Sequence, residues 1–111
     1  MLRRSFAASA VLAGGLVVAS VATAAPVGAN ASMRVELHRL RVCESGNNYR
    51  LHTGNGYYGA YQFSASTWHG LGFHGRPDRA RHATQDRAAR REHAIGGWRA
   101  WPSCSQREHL R

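Results

Sequence analysis

The chain has 111 residues, with 15 arginines and no lysine against 6 acids, plus 7 histidines and 2 cysteines. The first 31 residues hold no acid, so about 80 remain for folding, near the size at which a single core is only marginally stable without a staple. A two-domain nucleotide-binding enzyme, a barrel and a repeat array are excluded, and ten aromatics with 43% hydrophobic residues argue against disorder throughout.

Residues 1–31 read as a secretion signal. Arg3 and Arg4 form a positive start, Phe6 to Val21 is a run of apolar and small residues, and Pro26 breaks it. Ala29-Asn30-Ala31 then offers a small-x-small cleavage site, with Ala22-Thr23-Ala24 as a second. The competing reading is a retained membrane anchor, but a run of about 16 residues rich in Ala and Gly spans a bilayer poorly. Arg3-Arg4-Ser5-Phe6 also looks like part of a twin-arginine signal, yet Leu2 and Ala7 fit it badly, so the Sec route is the better expectation. The expected product is residues 32–111, secreted or wall-associated, with no stable membrane span.

Export changes how Cys43 and Cys104 are read. In a small secreted domain two cysteines most simply pair, linking the start of the folded region to its end. A metal site built with the histidines has no CxxC, HxxxH or HExxH spacing behind it, so neither metal nor cofactor is expected.

Ser32 can cap a helix running to about Ser45 and stopped by Gly46, with Met33, Leu37 and Leu40 as one apolar stripe. Glu44 falls four residues after Leu40, at the end of that stripe. A carboxyl there faces the protein body, and desolvation raises its pKa. An ordinary helix-end glutamate in an arginine-rich neighbourhood is the plainer alternative. Asn47 to Phe63 follows, dense in Gly, Asn and Tyr, with Asn55-Gly56 predicting a hairpin between Leu51–Thr53 and Tyr57–Phe63. Ser64 or Ser66 caps a short helix carrying Thr67 and Trp68, closed by Gly70 and Gly72. The stretch from His69 to Arg81 reads as a surface loop. Thr84 caps a helix to about Ile95, with Asp86 favourable in its first turn, and Gly96-Gly97 ends it. Trp98 and Trp101 then flank a turn into Pro102 and Cys104.

Four blocks carry a family resemblance: Cys43-Glu44-Ser45-Gly46-Asn47-Asn48-Tyr49, Thr53 to Phe63, Ser66-Thr67-Trp68, and Gly97 to Cys104. Together they resemble the catalytic domain of resuscitation-promoting factors, transglycosylase-like secreted proteins of high-GC Gram-positive bacteria. The resemblance covers roughly residues 37–104 and implies a lysozyme-like α+β fold, mainly helical, with a short β-hairpin and one disulfide. It implies cleavage of the β-1,4 bond between N-acetylmuramic acid and N-acetylglucosamine, and growth resuscitation through wall remodelling. Glu44 matches the catalytic glutamate. Thr67 matches a groove-lining threonine, with Gln62 and Tyr57 or Tyr58 as neighbours.

The residues suit that chemistry. Protonating a poorly basic glycosidic oxygen needs a carboxylic acid still protonated near neutral pH, which a partly desolvated Glu44 can be. Most glycosidases use a second carboxylate about 5 to 10 Å away. After the first helix the other acids are Asp78, Asp86, Glu92 and Glu108, none inside the motif-bearing segment. A one-carboxylate mechanism is therefore more natural, with water or the muramic acid 6-hydroxyl as acceptor. Asn55, Gln62 and Thr67 could hydrogen-bond the sugars, and Tyr57, Tyr58 or Trp68 could stack on them. For the tryptophans the alternative is core packing, and for Asn55 turn formation.

Without the signal the net charge is still strongly positive. Export and the lack of a recognition helix argue against nucleic acid and for attraction to an anionic wall. The expected partners are peptidoglycan strands and another wall hydrolase, met by a monomer. A non-catalytic cationic wall-binding or signalling module with the same fold is the alternative function. Some positions depart from the family pattern: Leu37 and His38 stand where it carries Trp and Asp, His52 for Asn, Tyr49 for Trp and Asn47 for Gly, and the helix from Thr84 is short and basic. None of these removes Glu44 or the cysteine pair, and they leave a weakened enzyme as an open alternative.

Overall fold

The computed structural model describes residues 12–21 and 27–111. Of the expected signal, Arg3, Arg4 and the Ala22–Ala24 site lie outside the described residues, while 12–21 carry no regular secondary structure and are exposed. Among the described residues no helix is long and apolar enough to cross a membrane.

The described residues form four α-helices and one two-stranded sheet: α1 (Val27–Ser45), β1 (Tyr57–Tyr58), β2 (Phe63–Ser64), α2 (Ala65–Gly70), α3 (His82–Gly96) and α4 (Pro102–Arg107). It is the expected small α+β domain. α1 begins before Ser32, so Ser32 is not its cap. Ala29 and Ala31 favour helix and nothing between them and Ser32 stops it. The Ala29-Asn30-Ala31 cleavage motif thus lies within the first turns of α1.

Leu37 and Leu40 are fully buried, and Met33 packs on the core from the same stripe. Around them lie aromatic rings spaced for tilted and edge contacts: Phe63 sits 5.7 Å from Trp68, 5.8 Å from Trp101 and 6.1 Å from Tyr61. Trp98 and Trp101 are both buried, and the indole N–H of Trp101 donates to the Tyr61 carbonyl at 2.9 Å. Cys43 and Cys104 form a disulfide that ties α1 to α4, with Cα atoms 5.8 Å apart.

The hairpin differs from expectation. Tyr57 to Phe63 is not one strand: Tyr57 pairs with Ser64 and Tyr58 with Phe63, and residues 59–62 turn between them. Asn55-Gly56 does reverse the chain, but only a single bridge, His52 with Tyr58, closes across it. The interruption follows from Gly59, which takes a left-handed φ of 78° against the buried Gln85 side chain, where any Cβ would collide. Gln85 fills its place completely: it accepts from Ala60 N–H at 2.9 Å and donates to the Tyr49 and Ala80 carbonyls.

Of the two caps the sequence offers for α2, Ser64 is the one used, accepting from Thr67 N–H. The segment from His69 to Arg81 is more than a surface loop. Leu71, Phe73, Pro77 and Asp78 are buried, and Pro77–Arg79 forms a 3-10 turn held by the Arg76–Asp78 ion pair. α3 starts at His82 with Arg81 as its N-cap, so Thr84 does not cap it and Asp86 lies beyond the first turn. The Asp86 carboxylate accepts from Tyr61 at 2.6 Å, Tyr49 at 2.8 Å and Arg41 at 3.3 Å, tying α3 to α1 and the central turn. Burial and these bonds push the Tyr49 hydroxyl up to about 12 and raise that of Tyr61 as well.

Candidate active site

Glu44 occupies the last turn of α1, and both its chain neighbours are tethered. Cys43 is held by the disulfide. Ser45 donates to the Ala60 carbonyl at 2.7 Å and accepts from Asn48 N–H at 3.1 Å. Beyond them Gly46 and Asn47 both adopt left-handed φ values, 65° and 61°, which end the helix. Glu44 is therefore fixed at the point where α1 meets the central turn.

Its half-buried side chain lines a cleft of about 380 Å³. The cleft is lined also by Asn55, Tyr57 and Gln62 and by the segment Ala100–Cys104. Among the described residues the Glu44 carboxyl makes no hydrogen bond or ion pair. Burial raises its pKa above the ordinary carboxyl value with nothing opposing it. None of the other five acids lines this cleft. Asp78 pairs with Arg76, Asp86 with Arg41 and Glu108 with Arg39. The cleft offers one carboxyl, held toward its protonated form, among neutral polar and aromatic groups.

The sequence-predicted site residues divide. Asn55 lines the cleft and also shapes its turn, accepting from Tyr57 N–H at 3.1 Å. Tyr57 also lines it and is 50% exposed as a residue. Gln62 lines it from a left-handed φ of 53°, its amide donating to the Gly59 carbonyl at 2.9 Å. Tyr58 is elsewhere. Successive strand residues face opposite ways, and its ring lies 4.9 Å from His52, with the Arg76 guanidinium 5.2 Å from its centre. Thr67 is half-buried on α2, outside the cleft lining, its hydroxyl 3.0 Å from Ser64. Trp68 offers no face to a sugar: it is fully buried, 4.9 Å from Phe73, and its indole N–H donates to the His74 carbonyl at 3.0 Å.

Sequence reasoning missed Ser45 and the Pro102-Ser103 wall. Ser45 had a signal, since a hydroxyl between a buried-stripe residue and a helix-ending glycine can bond across the turn. The wall had none, because only the fold brings α4 to the Glu44 cleft.

Comparison with known proteins bears on this arrangement. A family model described as a transglycosylase-like domain matches residues 31–104. The chain is 38% identical over 108 residues to the resuscitation-promoting factor Rpf of Micrococcus luteus, covering 94% of this chain and 47% of that protein. It is 43% identical over 89 residues to Rpf1 of Corynebacterium glutamicum, covering 78% and 46%. With RpfC of Mycobacterium tuberculosis it shares 40% identity over 93 residues, covering 84% and 66%. The chain spans about half the length of the first two relatives.

Proposed function

Because this chain belongs to the transglycosylase-like domain family, we propose that it is a secreted enzyme that cleaves the N-acetylmuramic acid to N-acetylglucosamine β-1,4 bond of peptidoglycan. The reading includes export through residues 1–31 and growth resuscitation by wall remodelling, in keeping with its similarity to the resuscitation-promoting factors. One observation carries it: a single carboxyl, Glu44, unpaired and with a raised pKa, standing in a cleft with no second acid.

In the proposed reaction a glycan strand lies between Tyr57 and the Ala100–Cys104 wall. Glu44 gives its proton to the glycosidic oxygen as the bond from the muramic anomeric carbon breaks, and the leaving sugar departs as an alcohol. The resulting Glu44 carboxylate faces the oxocarbenium-like centre. It then takes a proton from the acceptor hydroxyl that attacks there, which regenerates the acid. An attacking muramic 6-hydroxyl gives a 1,6-anhydro end, and an attacking water gives a reducing end. Asn55, Gln62 and Tyr57 position the strand, while a groove role for Thr67, which lies outside the cleft lining, rests on the family resemblance alone.

Purified protein should release soluble fragments from cell walls, and Glu44→Gln should lose that release by at least about 100-fold while remaining folded. Equal wall binding by both proteins with no fragments from either would make the domain a binding module instead. Mass spectrometry of the products separates anhydro from reducing ends.

A further inference from the structure

Between α1 and α3 lies a second, larger cavity of about 610 Å³, which shares no lining residue with the Glu44 cleft. Arg34, His38 and Arg41 face it from α1, at the three- and four-residue spacing that puts side chains on one helical face. Asp86 and Arg90, also four apart, face it from α3. The α1 face involved lies beside the Met33–Leu37–Leu40–Glu44 stripe and shares Leu37 with it.

The charges in this groove are unbalanced. Three guanidiniums and an imidazole meet one carboxylate, and that carboxylate is already engaged by Arg41, Tyr49 and Tyr61. Arg34 and Arg90 make no hydrogen bond or ion pair among the described residues, which include all six acids. Like charges converging on one groove repel, and an external anion relieves them. Arg41 lies 3.4 Å from His38 Nδ1; with Arg41 as donor, His38 Nε2 keeps its hydrogen and points a further donor outward.

The geometry also selects the kind of anion. A planar carboxylate presents its two oxygens along one edge, which a single guanidinium fork covers. A phosphate spreads its charge over oxygens aimed in several directions and can take guanidiniums from two walls at once. The cavity is much larger than one phosphate ion, and Val35 and Leu37 give it an apolar side suited to carbon linkers. We propose that the α1–α3 groove binds phosphodiester groups of an anionic polyol-phosphate polymer, independently of the chemistry at Glu44.

The test is equilibrium binding of a glycerol-phosphate oligomer, with inorganic phosphate and an RNA oligonucleotide of matched charge as separate probes. Arg34→Gln with Arg90→Gln should weaken oligomer binding about 10-fold, with the melting temperature within about 3 °C of wild type. Arg107→Gln with Arg111→Gln removes the same charge elsewhere and should weaken it by no more than about 2-fold. Glu44→Gln should bind the oligomer like wild type, which keeps this inference separate from the fate of the enzymatic reading. Equal losses from the two arginine pairs would mean that overall charge does the binding and would overturn the site. Inorganic phosphate binding as tightly as the oligomer would overturn the polymer assignment, as would RNA held more tightly through Arg34 and Arg90.

Discussion

The Ser45 hydroxyl donates to the Ala60 carbonyl at 2.7 Å, joining the residue after Glu44 to the turn that carries Gln62. The same oxygen accepts from Asn48 N–H at 3.1 Å, so one side chain satisfies backbone groups on two segments. Ser45→Ala leaves both groups without their partner and should cost about 1–2 kcal/mol, read as a melting temperature lower by roughly 4–15 °C. Release of wall fragments should fall severalfold at temperatures where circular dichroism shows both proteins folded. An unchanged rate would mean that this tether does not align Glu44.

Glu44 should give the protein a distinctive pH response. Burial raises its pKa, so the folded state favours the neutral acid. The stability that this contributes is fully present below the ordinary carboxyl range and is lost as pH rises through the raised value. Glu44→Gln, neutral at every pH, should therefore match the wild-type melting temperature near about pH 4 and exceed it increasingly toward about pH 7. Catalytic release should decline over the same rise in pH, since the proton donor is being lost. A difference that shrinks toward neutrality would contradict the desolvated setting of this carboxyl.

The Cys43–Cys104 bond closes a loop of 61 positions. In the chain-entropy model a loop of that length corresponds to about 4 kcal/mol, large beside what a core of this size supplies. Reduction should lower the melting temperature by roughly 10–25 °C in calorimetry with and without reductant. A shift of a degree or two would show that the reduced chain retains the same constraint by other means.

Asp86 should matter more than its place on a solvated, arginine-rich helix suggests. Asp86→Ala strips the acceptor from Tyr61, Tyr49 and Arg41 together and should cost about 2–4 kcal/mol in denaturant unfolding. Asp86→Asn keeps one acceptor oxygen and should lose less. Equal losses would show that charge, rather than hydrogen bonding, is what the network requires.

The parts of the fold that were legible are local. The Met33, Leu37, Leu40, Glu44 stripe follows from helical periodicity, and it correctly turns Glu44 toward the protein body. The Ser64 cap is readable because its partner, Thr67, is three residues away. The disulfide is readable from the expectation of export and the count of two cysteines, not from geometry. Where the reading failed, the deciding partner was distant. Gly59 turns the chain because Gln85 stands against it. Asp86 left its expected helix-start role because Arg41, Tyr49 and Tyr61 converge on it from other segments. Tyr57 and Tyr58 are equivalent in composition, and only strand register sends one ring into the cleft and the other onto His52 and Arg76. Trp68 looked available for stacking because its burial depends on Phe63 and Phe73, whose positions no local pattern specifies.

Cys104 lines the cleft and its disulfide partner Cys43 immediately precedes Glu44, so the bridge ties the acid's helix to one of the segments that line its cleft. A newly synthesised chain with free thiols lacks that closure. Under the proposed reaction, thiol-blocked protein should therefore release less from walls than the oxidised protein even where it remains helical.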